Sequence, residues 1–174
     1  WSDVEASGIA EWPGLGFIFH IGHAGSTLVS RLLDELPQAL GVREPQLLRT
    51  LAEIGMLRGR SESPWSAERF DERIGTVCAL LSRGFHDGQR AIVKPTSLVS
   101  EIAGDLLGEE RRGLVLTLTP ERYLETILGG ENSRRELAMM AAPRLSRLHR
   151  RLGAEPWNLW ELDEAQRAAL SWAC

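Results

Sequence analysis

Segments that favour β-strand and segments that favour α-helix alternate along the chain from Gly16 to about Leu128. The strand-like segments are short and apolar, and they are Gly16 to Ile21, Leu40 to Val42, Ala91 to Lys94 and Gly113 to Leu118. A helical segment follows each of them. This alternation is typical of parallel strands, because the crossover between two parallel strands is usually a helix that packs on the sheet. The sequence therefore predicts an α/β fold with three layers, αβα, around a central parallel sheet.

The rest of the chain is predicted to be helical. An arginine-rich, amphipathic segment covers Glu131 to Leu152, and a further helix begins around Asp163 and has no stop signal before Cys174. A length of 174 residues is enough for one domain with a core. We therefore expect residues 1–174 to form a single domain with a helical C-terminal part, incomplete at its C-terminus.

Composition and charge limit the class of protein. The chain is 43% hydrophobic and 25% charged, and its formal net charge of -4 argues against a general nucleic-acid binder. Cys78 and Cys174 give neither a disulfide framework nor a metal-ligand spacing. No apolar run approaches the roughly 20 residues that span a bilayer. We expect a cytoplasmic protein without a membrane, nucleic-acid or metal partner, and the sequence leaves its oligomeric state open.

The stretch Phe17 to Leu33, FIFHIGHAGSTLVSRLL, passes from strand to helix through two glycines and two hydroxyl residues. Glycine allows a tight turn, and the amides that open a helix favour an anion. Ligands of open parallel sheets bind beyond the carboxyl ends of the strands, which is where this turn lies. The segment from Gly22 to Thr27 is therefore predicted to hold a phosphate-like group. The alternative is a plain strand-to-helix turn capped by Ser26 or Thr27.

The pattern differs from that of a nucleotide-hydrolysing loop. Such loops follow GxxxxGK[ST], whereas Gly22 and Gly25 are only three residues apart and Ser26 stands where the lysine would be. Without that lysine the loop is poorly equipped to hold a γ-phosphate. A P-loop kinase of nucleotides or small molecules is thus a disfavoured alternative, and GxGxxG of dinucleotide-binding proteins is absent as well.

The segment Gly22-His23-Ala24-Gly25-Ser26-Thr27-Leu28, followed by Ser30-Arg31-Leu32-Leu33, resembles the 5′-phosphosulfate loop of the sulfotransferases. Three further segments continue the resemblance in the same order. Arg43-Glu44-Pro45 is similar to the Glu-Pro of bacterial members, and residues 92–97 are similar to the next strand end of the family. Residues 114–128 are similar to the strand and helix that carry its 3′-phosphate motif. The resemblance covers about two thirds of the chain. It implies a P-loop NTPase-like α/β fold and the donor 3′-phosphoadenosine-5′-phosphosulfate.

The resemblance also implies roles for individual residues. Glu44 would accept the proton of a hydroxyl or amine acceptor, and Lys94 and His23 would stabilise the transferred sulfuryl group and its phosphate. The donor would be bound by Gly22, His23, Ala24, Gly25, Ser26 and Thr27, with Thr126 at the 3′-phosphate. Each has an ordinary alternative: Glu44 as a first-turn acid of a helix, Lys94 as a solvated strand end, and His23 as a solvated loop residue.

Lys94 is the one lysine among 20 basic residues. Bias of the coding sequence towards arginine explains the count. Under such bias, a lysine also marks a place where a compact ammonium does what a guanidinium cannot.

Three positions depart from the sulfotransferase pattern. His23 replaces the usual Arg or Lys, Thr96 stands where eukaryotic members have a histidine base, and Leu118 replaces the arginine of the 3′-phosphate motif. Arg122, Arg134 and Arg135 are nearby arginines that either substitute for it or are solvated helix charges. A relative that has lost donor binding and serves as a binding domain therefore stays open as a second alternative.

Overall fold

A computed structural model describes residues 3–4 and 7–174. The chain divides into two compact units, of which the first runs to Leu116 and the second covers Thr117–Cys174. The prediction of a single domain remains a prediction.

The first unit contains a parallel sheet of four strands. These are β1 (Gly16–His20), β2 (Ala39–Arg43), β3 (Arg90–Lys94) and β4 (Arg112–Leu116), in the order β2-β3-β1-β4. Arg43 pairs with Lys94 in the β2–β3 register, and His20 pairs with Leu116 in the β1–β4 register. The carboxyl ends of the strands therefore lie along one edge of the sheet. The predicted fold class, α/β with a central parallel sheet, is confirmed.

Helices connect these strands and cover the sheet. They are α1 (Ser26–Asp34), α2 (Gln46–Gly55), α3 (Ala67–Leu81), a 3₁₀ helix (Ser97–Ile102) and α4 (Ala103–Leu107). The crossover from β1 to β2 runs across the sheet in the direction opposite to the two that follow. Since such crossovers are right-handed, α1 lies on one face of the sheet and the other helices lie on the opposite face.

The side chains of the strands follow this division. Phe17 and Phe19 of β1 and Val93 of β3 are buried in one cluster with residues of α2, α3 and α4. Because successive side chains of a strand point to opposite faces, His20 and Lys94 point to the face that carries α1. On that face the Asp34 carboxylate accepts hydrogen bonds from the Gly41 amide (2.5 Å) and the Arg43 guanidinium (2.6 Å). These contacts hold α1 on the sheet.

The second unit is helical, as predicted. It comprises α5 (Pro120–Leu128), α6 (Glu131–Leu152), a 3₁₀ helix (Leu159–Glu161) and α7 (Glu164–Ala173). Thr119 and Asp163 cap α5 and α7, since their side chains accept hydrogen bonds from the amides of Arg122 and Gln166. The hydroxyls of Tyr123 and Ser171 share a buried 2.8 Å hydrogen bond between α5 and α7.

One predicted strand is shorter than expected. The apolar run continues to Leu118, but β4 ends at Leu116. Its partner β1 ends at His20, and the last contact between them is the hydrogen bond from the Ile21 amide to the Leu116 carbonyl, at 3.4 Å. The neighbouring strand β1 thus determines where β4 ends, and the sequence of β4 itself carries no signal for that end.

Among residues 3–4 and 7–174, no helix is both long enough and apolar enough to cross a bilayer.

Candidate active site

The sheet topology creates a cleft at the carboxyl ends of β1 and β3. These two strands are neighbours, yet the helix after β1 and the helices after β3 lie on opposite faces of the sheet. Such a switch point leaves a crevice between the outgoing connections, and open α/β sheets bind their ligands there. The residues that follow β1, β2 and β3 therefore form the candidate site.

The connection from β1 to α1 is a glycine turn, residues 22–25. Three of its residues have left-handed backbone angles, with φ of 86° at Gly22, 52° at His23 and 78° at Gly25. Gly25 caps α1, and as a glycine it has no side chain that could accept a hydrogen bond from the first amides of the helix. Turns with left-handed residues before a helix direct successive amides into a concave surface that suits an anion.

The side chains of this turn and of the first turn of α1 differ in exposure. His23 and Thr27 are exposed, Ala24 is half-buried, and Ser26 is buried on the sheet side of α1. His23 is one of only two non-glycine residues with positive φ among the described residues. The predicted phosphate-like group would therefore meet backbone amides and exposed polar side chains together.

Lys94 and Glu44 are the second part of the site. Lys94 ends β3 and is only 3% exposed, so it is not the solvated strand end that its position alone allows. Its ammonium forms an ion pair with the carboxylate of Glu44, which follows β2. The Glu44 amide also donates a 2.7 Å hydrogen bond to the Lys94 carbonyl. A buried ammonium without such a partner would be costly, so the pair fixes both residues.

The backbone of Glu44 is strained. Its φ is 50°, and the next residue is Pro45, which favours extended backbone at the preceding position by steric contact. A left-handed residue other than glycine costs about 1–3 kcal/mol and persists where the surrounding structure determines it. Such strain is frequent at functional sites. The ordinary explanation of Glu44 as a first-turn acid does not account for it.

His20, which the sequence analysis did not select, links these two parts. It ends β1 and is 8% exposed. The Gly22 amide donates to its Nδ1 at 2.9 Å, and its Nε2 lies 3.0 Å from the Pro95 carbonyl. Burial, and then the charge of Lys94, lower the pKa of His20, while the hydrogen bond to Pro95 and the Glu44 carboxylate oppose this effect. The only sequence signal is a histidine at the end of a buried strand, directly before a glycine turn.

Four side chains therefore share one electrostatic environment at this edge of the sheet. The pKa of His20 responds to charge on Lys94, Glu44 and His23. The structure thus brings together the three predicted catalytic residues and adds His20. It also shows that the Gly22 amide already donates to His20, so the amides left to an anion belong to the residues after it.

The predicted 3′-phosphate residue lies in the second unit. The Thr126 hydroxyl donates to the Arg122 carbonyl, one turn earlier in α5, at 2.8 Å. The three arginines named above are also partnered: Arg122 with Glu125 at 3.0 Å, Arg134 with the Leu128 carbonyl at 2.8 Å, and Arg135 with Glu131. Leu118 accepts a hydrogen bond at its carbonyl from the Trp172 indole, at 2.9 Å.

A metal centre is not evident in the described part of the chain. Within it, no three side chains of His, Cys, Asp or Glu come together in a group that could hold a metal ion. No protein-family model matches the chain, and no curated protein or solved structure matches it either.

Proposed function

We propose that the chain is a sulfotransferase-like enzyme of the P-loop type. It would transfer a sulfuryl group from 3′-phosphoadenosine-5′-phosphosulfate to a hydroxyl or amine of a small molecule. The observation that carries the proposal is the buried Lys94 ammonium paired with the strained Glu44 carboxylate, at the sheet edge that also carries the glycine turn. This combination supplies a cation, a base and an anion-binding backbone.

The residues present fit the 5′ end of this donor. The amides that open α1, together with Ser26 and Thr27, are suited to the oxygens of a phosphosulfate. His23, exposed beside them, adds a ring nitrogen that can form a hydrogen bond to the donor. The donor supplies an activated sulfuryl group whose leaving group is the 5′-phosphate.

Glu44 has the properties of the general base. Its side chain is 52% exposed, so an acceptor can reach it, while the ion pair with Lys94 orients it. As the acceptor oxygen or nitrogen bonds to sulfur, its proton passes to the Glu44 carboxylate. The bond from sulfur to the bridging oxygen breaks, and its electron pair stays on the phosphate.

Lys94 is placed to compensate the charge that develops in this step. Negative charge grows on the bridging oxygen as the bond breaks, and a fixed ammonium in a buried setting stabilises it more than solvent would. Lys94 enters the reaction already oriented by Glu44, which reduces the reorganisation needed in the transition state.

A radiolabel assay tests the proposal. Purified protein is incubated with ³⁵S-labelled donor and panels of phenols, alcohols and amines, and the labelled product is counted. Transfer that Glu44→Gln abolishes supports the proposal. Donor turnover only to free sulfate, or no binding of adenosine 3′,5′-bisphosphate by calorimetry, contradicts it. Binding of Mg-ATP with phosphoryl transfer would instead show a kinase.

A second candidate is a binding domain without catalysis, and Leu118 favours it, because an arginine usually holds the 3′-phosphate at this position in the sulfotransferases. Because this candidate has lost donor binding, it predicts weak or absent binding of adenosine 3′,5′-bisphosphate and no transfer to any acceptor. Both candidates suit the cytoplasm, because Cys78 and Cys174 form no disulfide in the described part of the chain. Neither requires a nucleic acid, a membrane or a metal ion.

A further inference from the structure

We infer that His20 is a positioning residue whose neutral imidazole ties the glycine turn to the end of β3, and so sets the turn relative to Lys94. The inference rests on the proposed function where it concerns donor binding. The link itself is a property of the structure: one ring nitrogen faces the Gly22 amide at 2.9 Å, and the other faces the Pro95 carbonyl at 3.0 Å.

The two partners allow a single protonation state. The Gly22 amide can only donate, so Nδ1 must present a lone pair. The Pro95 carbonyl can only accept, so Nε2 must carry the proton. A protonated ring would place an N–H against the N–H of Gly22 and break the first contact. The link therefore exists only while His20 is neutral and in its Nε2–H form.

The surroundings of His20 favour that neutral form. The ring is 8% exposed at the end of β1. The charged and titratable groups that affect its pKa are the Lys94 ammonium at the end of β3, the Glu44 carboxylate after β2 and the His23 ring in the turn. Burial and the Lys94 charge are the larger influences, and both disfavour a second positive charge.

The link anchors the start of the turn on one side. On the other side, the Ile21 amide donates to the Leu116 carbonyl of β4 at 3.4 Å. Gly22 itself has a φ of 86°, a conformation that glycine adopts without cost and that needs a fixed partner to be held. Without His20, the turn would keep its anchor on β4 and lose its anchor on β3. An anion that contacts the turn and Lys94 together would then bind less tightly.

Nuclear magnetic resonance tests the link in the unmodified protein. Long-range ¹H–¹⁵N spectra distinguish the two neutral tautomers and the protonated ring. We expect the Nε2–H tautomer at pH 7 and slow exchange of the Gly22 amide. When the pH falls through the pKa of His20, the ring and the Gly22 amide should change together. An Nδ1–H tautomer, a protonated ring at pH 7, or a Gly22 amide that ignores the titration overturns the inference.

Variants test the consequence for binding, with adenosine 3′,5′-bisphosphate as the probe in calorimetry. His20→Phe removes both hydrogen bonds, and we expect about tenfold weaker binding, equivalent to about 1.4 kcal/mol. His20→Asn keeps an acceptor near the Nδ1 position and should bind with intermediate affinity. The control is His86→Asn, which replaces an exposed histidine of the same unit and should bind the bisphosphate like the unmodified protein.

Failure of the inference and failure of the proposed function are distinguishable. If folded His20→Phe binds the bisphosphate within twofold of the unmodified protein, the positioning role is wrong and the proposed donor stands. If the unmodified protein does not bind the bisphosphate, the proposed function is wrong. The tautomer and the exchange of the Gly22 amide then still decide whether the link exists. They do so even if a His20 variant fails to fold.

Discussion

The ammonium of Lys94 pairs with the carboxylate of Glu44, and the Glu44 amide donates to the Lys94 carbonyl at 2.7 Å. Side chain and backbone thus join the ends of β2 and β3 at the same two residues. The two partners differ in burial: 4% of the Lys94 side chain is exposed, against 52% for Glu44. Removal of the Glu44 carboxylate would leave a buried cation without its counter-charge. Removal of a carboxylate whose partner is exposed would leave a cation that water can solvate.

We expect Glu44→Ala to lower the free energy of unfolding by about 1–3 kcal/mol, the cost of leaving a buried charged donor unpaired. The control is Glu53→Ala, which removes an exposed pair with Arg49 one helical turn away and should cost about 0.5 kcal/mol or less. Urea denaturation of both variants measures the difference. Equal costs would show that solvent reaches Lys94 and that the pair contributes little.

The role of Glu44 in chemistry is separable from its role in stability. Glu44→Gln keeps the volume and a hydrogen-bond acceptor but removes the base. We expect turnover to fall on the order of a hundredfold or more, while the affinity for donor changes little. Turnover and donor dissociation constants are measured on the same preparation. Full turnover with a hydroxyl acceptor would move the search for the base to another residue.

The surroundings of Lys94 do not suit an arginine side chain. A guanidinium is larger and planar, and the site is buried, so Lys94→Arg should retain little more turnover than Lys94→Ala. The control is Arg49→Ala, which removes a 47% exposed cation that pairs with Glu53 within α2. We expect this control to keep most of its turnover. Restored activity in Lys94→Arg would mean that any cation suffices there.

The elements of the fold were predictable because their signals are local. Apolar spacing located the strands and helices. Ser66 and Thr119 are of the residue types that cap helices, and their side chains accept hydrogen bonds from amides in the first turns of α3 and α5. Where a boundary depends on a neighbouring element, local signals were insufficient. The end of β4 at Leu116 is the example, because β1 determines it.

The site was predictable only as a set of candidates. The glycine turn and the strand-end position of Lys94 follow from sequence and parallel topology. The positive φ of Glu44 and the link from His20 to Pro95 arise from contacts between distant segments, the latter 75 residues apart. Patterns in a single sequence do not show which distant residues come into contact. The burial of Lys94, which distinguishes it from a solvated strand end, is likewise a property of the packed sheet.

Two glycines with nearly equal φ allow backbone strain and ligand binding to be tested separately. Gly25 and Gly88 have φ of 78° and 80°, and an added Cβ would meet nothing within 4 Å at either. Each alanine substitution should cost about 1–2 kcal/mol of stability, the cost of a left-handed alanine. Gly88 precedes β3 at the opposite edge of the sheet, whereas the Cβ of Gly25→Ala would stand beside the first amides of α1. We expect only Gly25→Ala to weaken bisphosphate binding, by about tenfold, the equivalent of one charge-assisted hydrogen bond. Equal binding by both variants in calorimetry would place the anion elsewhere.

The 3′-phosphate should contribute little to nucleotide affinity. Thr126 donates its hydroxyl proton within α5, and Arg122, Arg134 and Arg135 already have partners in their own unit. A lost hydrogen bond to a charged group is worth about 1.5–3 kcal/mol, or about ten- to more than a hundredfold in affinity. We therefore expect adenosine 3′,5′-bisphosphate and adenosine 5′-monophosphate to bind within about tenfold of each other at equal pH and salt. Calorimetry with both nucleotides measures the ratio of the two affinities.

A thousandfold preference for the bisphosphate would contradict this expectation and show that one of these arginines exchanges its partner for the phosphate. Arg122→Ala, Arg134→Ala and Arg135→Ala would then identify it, because only the arginine that binds the phosphate would lose the preference.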